Sequence, residues 1–296
     1  MIEEFLRYIE SEKRYSKLTK TAYGDDLRQF LSYYGVDEAA FDPGEVTHLD
    51  IRSWIMSRTG EGDKAVTINR KLSSLKSFYK YLLRRGLVDK DPTAKIGSLR
   101  KPARIPSFVE KSRMGRLVDM LEVSDDFALE KRAVIILLLY GCGLRLAELT
   151  AIKLNDISFD DMTIKVTGKG DKQRIVPLVP RVAERLKKYS VLRSEICKSD
   201  NNFLILSDEG ENISRSEVYR TVREVLTAMG VEGKRSPHVL RHTFATHLMS
   251  EGAGIETVKE LLGHANLSTT QIYTHSTIKE LIDAYRSAHP RSRKVR

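Results

Sequence analysis

A chain of 296 residues, 41% hydrophobic and 30% charged, is long enough for two compact domains and apolar enough to bury a core in each, which excludes a disordered chain. Fifty Lys and Arg against forty Asp and Glu leave a formal charge of +10. Such an excess suits a polyanionic partner, because clustered cations release the counterions condensed on nucleic acid; charge alone leaves a basic soluble enzyme equally open.

The first stretch, MIEEFLRYIESEKRY, carries acids and a helical apolar pattern where a signal peptide would have a basic stretch and a hydrophobic run. The longest apolar run, Ala133 to Tyr140, is far too short to span a bilayer. A cytoplasmic protein without a membrane partner is expected. Cys142 and Cys197 make no disulfide framework and have no companions at metal-ligand spacing.

Ile2, Phe5, Leu6 and Ile9 recur at helical spacing. A second helix is predicted from near Leu18 to Tyr34, closed by Gly35, and a third opens at Thr47 with Asp50 in its first turn. Ile68, Leu72, Leu75, Tyr79 and Leu82 mark a fourth, which Asp91-Pro92 is expected to break. Residues 1–96 therefore read as a four-helix domain. The segment GSLRKPARIPS, 97–107, lacks apolar periodicity and reads as a basic linker, with an ordinary surface loop as the other reading.

Beyond it, residues 108–296 read as mainly helical with a small antiparallel sheet. Met162, Ile164 and Val166 alternate, and Ile175, Val176 and Leu178 follow the basic turn GKGDKQ, so a β-hairpin is predicted. Ser214 with Glu217, Ser268 with Gln271 and Thr277 with Glu280 have capping-box spacing. Residues 1–97 hold 17 basic and 15 acidic side chains, a net of +2, so the remaining +8 lies beyond them.

Three segments carry candidate chemistry. In SPHVLRHTFATHL, Ser236 is placed to cap a helix with Pro237 at its first position, and His238 and Arg241 fall three apart. An imidazole and a guanidinium near a helix N-terminus suit a phosphate, although such a pair is more often a solvated face or a core histidine. In GCGLRLAEL, Arg145 precedes Glu148 by three residues, a spacing that by itself marks a helical ion pair worth a few tenths of a kcal/mol. In LLGHANLSTTQIYTH, Gly263 closes one helix, His264 sits in the turn, and Ser268 opens the helix that carries Tyr273.

Taken together and in this order, these segments resemble the tyrosine recombinase, or phage-integrase, family over nearly the whole chain. That family has an arginine in a G-x-R-x-x-E context, a hairpin-turn lysine, an H-x-x-R pair, an L-G-H segment and a tyrosine nine residues on. The resemblance implies a SAM-like helical core-binding domain and a mixed α+β catalytic domain. It also implies that Arg145 and Arg241 grip the scissile phosphate, that His238 and His264 complete the cradle, that Glu148 braces it, and that Tyr273 is the nucleophile. Lys169, in TGKGDKQR, is the implied acid, and Lys172 in the same turn is its competitor. His242 and His247 look structural on this pattern, and Cys142 looks like a packing residue.

The residue types fit the chemistry. Attack on a phosphodiester adds charge to its nonbridging oxygens, which two forked guanidiniums answer directly. A phenol with a pKa near 10 is only about 0.1% ionised at pH 7, so a base or a strongly cationic site must help it; His238 is the candidate base. A 3′-phosphotyrosyl link conserves the bond energy, so no ATP, metal or other cofactor is expected, in keeping with the absence of a Walker motif.

Within the family, the compact length without an added arm-binding domain and the tail AYRSAHPRSRKVR look like the Xer recombinases. That likeness implies a C-shaped clamp on double-stranded DNA and a homo- or heterotetramer on two recombination sites. It further implies a Holliday-junction intermediate, chromosome dimer resolution at dif-like sites, a second Xer recombinase and an FtsK-like DNA translocase as partners, and a C-terminal docking helix over 277–287. The alternatives are a mobile-element integrase, a type IB topoisomerase, and a DNA-binding accessory protein without catalysis.

Overall fold

The computed structural model describes residues 1–100, 108–121, 123–168, 171–197 and 200–263. Backbone contacts divide the chain into two units, 1–104 and 105–296.

The first unit has four helices: α1 (Ile2–Ser11), α2 (Lys17–Tyr34), α3 (His48–Gly60) and α4 (Ala65–Arg85). α1 buries Ile2, Phe5, Leu6 and Ile9, the set that the spacing predicts. The Ser16 hydroxyl caps α2 by accepting from the Thr19 N–H, and Gly35, at φ +78°, ends it in the left-handed region. Thr47 and Asp50 form a reciprocal capping box at α3. α4 departs from the sequence expectation: it stops at Arg85, because Gly86 takes a left-handed φ of +65° and its N–H closes on the Leu82 and Leu83 carbonyls. Asp91-Pro92 lies in a later turn and ends nothing. The core closes around Phe5, Phe30, Trp54 and Phe78, with Phe30 and Trp54 edge to face at 5.1 Å.

The second unit holds α5 (Lys111–Met120), α6 (Phe127–Gly141), α7 (Leu146–Leu149), β1 (Ile157–Ser158), β2 (Thr163–Thr167), β3 (Gln173–Pro177), α8 (Pro180–Ile196), α9 (Arg215–Ala228), α10 (Pro237–Ser250) and α11 (Ile255–Leu262). α6 is apolar nearly all round and is the central element, packed by α8, α9 and α10. The predicted hairpin is β2–β3, and β1 adds a third antiparallel strand. Ile164 pairs with Val176 and Val166 with Arg174, so the alternation that buries Ile164, Val166 and Val176 also turns Arg174 inward.

Two caps act differently from their sequence pattern. Ser214 caps α9, but the Glu217 carboxylate accepts from buried Lys131 instead of reaching back to the cap. Ser236 occupies the N-cap of α10, yet its hydroxyl makes no capping bond; Pro237 at the first position lowers the demand there. The capping patterns at Ser268 and Thr277 lie outside the described residues, as does the segment 277–287. Among the described residues, no helix is long and apolar enough to cross a membrane.

Candidate active site

The site begins where α6 ends. Cys142 is fully buried, its thiol pushed up to about 12 by that burial, which fits a packing role. Gly143 then turns the chain at φ +62°, and a Cβ there would fall 2.4 Å from the Phe244 ring. Both the backbone angle and the space demand glycine. Gly143→Ala is expected to lower stability by about 2 to 4 kcal/mol, the sum of left-handed strain and overpacking. A melting temperature within about 2 °C of wild type would contradict this.

The turn delivers Arg145 to the N-terminus of α7. Its backbone N–H donates to Glu148 Oε2 at 2.7 Å and its Nη1 to Oε1 at 2.7 Å, while Nη2 donates to the Gly263 carbonyl at 3.0 Å. Arg145 is 38% exposed and Glu148 only 3%. Among the described residues, two of the five N–H donors on the guanidinium are engaged.

Arg241, on α10, reaches the same carboxylate and the same end of α11. Its Nη1 donates to the Gly143 carbonyl and its Nη2 to the Leu262 carbonyl at 2.6 Å, with Glu148 Oε2 3.7 Å from Nη1. Burial, then the neighbouring Arg145 and Arg174 charges, push its guanidinium down to about 9 despite Glu148, so the cation is uncomfortable until an anion arrives.

The sequence reading missed a third guanidinium. Arg174, 6% exposed, grips Glu148 with both forks, Nη1 to Oε1 at 2.8 Å and Nη2 to Oε2 at 3.0 Å, and its Nε donates to the Leu261 carbonyl at 2.8 Å. The available signal was an arginine on the apolar face of a period-2 strand, where only a buried anion would hold it. Burial alone would raise the Glu148 pKa. The hydrogen bonds and charge of Arg174, with the bonds from Arg145, overcome this and pull it down to about 2. A depressed carboxylate stabilises the fold above its unfolded pKa, so this contribution is complete at neutral pH. It is expected to disappear as pH falls from about 4.5 to about 2. Glu148→Gln should remove that acid-sensitive part of an unfolding titration; an unchanged pH-stability curve would count against the assignment.

Three arginines thus surround one carboxylate, and three successive carbonyls at the end of α11, those of Leu261, Leu262 and Gly263, each accept from one of them. Four charged side chains carry a net +2 in a half-buried pocket, an arrangement that favours a dianionic or developing-anion ligand. The hairpin turn sits against this cluster. A Cβ on Gly168 would lie 3.5 Å from Glu148 Oε1 and 4.0 Å from Arg145 Nη1, and the Gly168 N–H closes the turn on the Lys172 carbonyl at 2.8 Å.

Of the residues singled out in the sequence, Arg145, Glu148 and Arg241 come together. His238 is exposed in the first turn of α10, one turn before Arg241, and among the described residues no hydrogen bond joins it to the cluster. Lys169, His264 and Tyr273 lie outside the described residues; Lys172 is exposed beside the hairpin turn. His247 is buried and shares a 2.9 Å hydrogen bond with the Tyr140 hydroxyl, a structural role. Half-buried His242 is held below its ordinary pKa by desolvation and then by His238. Among the described residues, no three His, Cys, Asp or Glu side chains group in a way that could hold a metal ion. α9 adds a solvent face with Arg215, Tyr219, Arg220 and Arg223 all exposed, the pattern of an element that meets a polyanion.

Comparison with known proteins bears on both units. The phage integrase family profile matches residues 107–280, and the profile of the phage integrase N-terminal SAM-like domain matches residues 2–86. The tyrosine recombinase XerC of Chlorobaculum tepidum is 37% identical over 98% of this chain and 94% of its own length. The tyrosine recombinase XerD of Listeria monocytogenes is 35% identical over 99% of both chains. In fold, the chain is similar to the XerH site-specific recombinase crystallised with a palindromic difH substrate, with a TM-score of 0.71 and 21% identity over 96% of this chain and 84% of that one. Profiles covering both units, together with near-full-length relatives, establish that the chain belongs to the phage integrase family and is an Xer-like tyrosine recombinase, a site-specific recombinase that acts through a tyrosine nucleophile.

Proposed function

We propose that Tyr273 is that nucleophile and that Arg145 and Arg241 bind the nonbridging oxygens of the scissile phosphate. The observation that carries this reading is the convergence of Arg145 and Arg241 on Glu148 and on the last carbonyls of α11. Gly263, whose carbonyl Arg145 engages, immediately precedes His264, and Tyr273 follows nine residues later. A short stretch of chain therefore links the arginine pair to the phenol.

In the proposed reaction the Tyr273 oxygen attacks phosphorus, and its proton passes to His238. The bond to the 5′ oxygen breaks, and that oxygen takes a proton from Lys169. The product is a 3′-phosphotyrosyl link with a free 5′-hydroxyl, and attack by a partner strand's 5′-hydroxyl reverses the sequence of bonds to give a Holliday junction. His264 donates to the phosphate. Gly168, the residue before Lys169 in sequence, lies against the cluster, and Lys172, whose carbonyl accepts from the Gly168 N–H, is the competitor for the same role.

The substrate is a double-stranded recombination site held by both units, two sites being joined by four protomers, with segment 277–287 docking on a neighbour. The Xer names of the relatives support an Xer role; on that reading we further propose chromosome dimer resolution at a dif-like site, at the nucleoid, with a second Xer recombinase and a DNA translocase of the FtsK type as partners. Incubation with a nicked suicide duplex, followed by mapping of the covalent adduct, tests the reading. The expected result is a peptide adduct at Tyr273 on the 3′ side of the cut; an adduct on the 5′ phosphate or at another residue would overturn it.

A further inference from the structure

We infer that Arg174 is a positioning residue for strand cleavage, acting through Glu148 and the end of α11 to keep Arg145 and Arg241 free for the phosphate. The inference rests on the proposed role of those two arginines.

Glu148 is the only carboxylate among the described residues that touches this cluster, and it is 3% exposed. A buried carboxylate recruits whatever donors it can reach. Arg174 saturates it: one fork bond goes to each oxygen, at 2.8 and 3.0 Å. With those sites taken, Arg145 spends a single side-chain bond on Glu148, and Arg241 stays 3.7 Å away, bonded instead to Gly143 and Leu262. Without Arg174, Glu148 would draw Arg241 Nη1 across that gap and a second donor from Arg145. Both guanidiniums would turn from substrate to protein.

Arg174 also supplies charge and geometry. It raises the net charge of the cluster from +1 to +2, and its own buried guanidinium stays where the strand register puts it, opposite Val166. Its Nε bond to Leu261 orders the last turn of α11, whose next two carbonyls orient Arg241 and Arg145. Gly263, at φ +61°, lets this turn approach: a Cβ there would come within 3.1 Å of Arg174 Cδ. Lysine at 174 would keep the charge and lose the planar fork that serves three acceptors at once.

The test compares wild type, Arg174→Lys and Arg174→Gln on nicked suicide duplexes carrying either a normal scissile phosphate or a neutral methylphosphonate. DNA affinity and melting temperature are measured in parallel. On the phosphate, both variants are expected to bind DNA within about threefold of wild type and to form adduct about 10- to 100-fold more slowly, the range seen when partners that orient a first ligand are removed. On the methylphosphonate, which lacks the charge that Arg145 and Arg241 must meet, the gap between wild type and variants should shrink at least tenfold. A merely structural role would slow both substrates in proportion, and that result overturns the inference, as does an unchanged rate on the phosphate. If Arg174→Gln does not fold, Arg174→Lys carries the same comparison. Absence of adduct from wild type on either substrate would instead overturn the proposed chemistry itself and this inference with it.

Discussion

Replacing Tyr273 with phenylalanine is expected to abolish the covalent protein–DNA complex while leaving DNA affinity within about twofold of wild type. The change removes one hydroxyl and no charge, whereas affinity for DNA comes mainly from Lys and Arg through counterion release. All of the +10 charge remains. The loss of covalent product should be complete, because phenylalanine has no oxygen with which to attack the phosphorus. An SDS-resistant complex measures the first quantity and a gel-shift titration the second. Persistence of an adduct in the variant would show that a different residue is the nucleophile; a large drop in affinity would show that the substitution had damaged more than the reacting group.

The parts of this molecule that could be read from sequence are those set by neighbours in the chain. The Thr47/Asp50 box, the Gly35 stop and the apolar face of α1 depend on residues within one or two turns, and the structure has them where the pattern puts them. The end of α4 was misplaced because two stop signals lie close together. A glycine that accepts a left-handed φ terminates a helix as soon as the next carbonyls can close on it, and Gly86 comes before Pro92. α7, four residues long, is too short for periodicity to register.

The site shows the same division. Arg145 and Glu148, three apart, read locally as a weak surface ion pair. What makes Glu148 central is its burial and its two bonds to Arg174, 26 residues further on. Sequence spacing carries no information about a contact that the β2–β3 register and the end of α11 create jointly. Family resemblance picked out Arg145 and Arg241, which the structure brings to Glu148, but passed over Arg174, although it stands in the same TGKGDKQR segment that supplied Lys169. Alternation along the hairpin would have found it: the residue between Gln173 and Ile175 faces the core, and an arginine there requires a buried acceptor.

Arg241→Lys is expected to slow covalent complex formation by about 100- to 1000-fold, or about 3 to 4 kcal/mol in barrier, the usual cost of losing a preorganised donor aimed at developing charge. Among the described residues, Arg241 spends two of its five donors on the Gly143 and Leu262 carbonyls, which leaves others for a phosphate. A lysine Nζ is a single point that cannot hold both carbonyls and a nonbridging oxygen at once. The same surroundings that push Arg241 down to about 9, burial first and then Arg145 and Arg174, would push an ammonium at this position below its ordinary value. A cation with a depressed pKa loses its charge as pH rises through that value. The residual activity of Arg241→Lys should therefore fall as pH is raised across the neutral range, while the wild-type guanidinium stays charged there. Adduct formation rates measured between about pH 6 and pH 8, below the Arg241 value, test both statements. A variant within tenfold of wild type, or one whose pH profile runs parallel to it, would mean that Arg241 holds the end of α11 in place without meeting the phosphate.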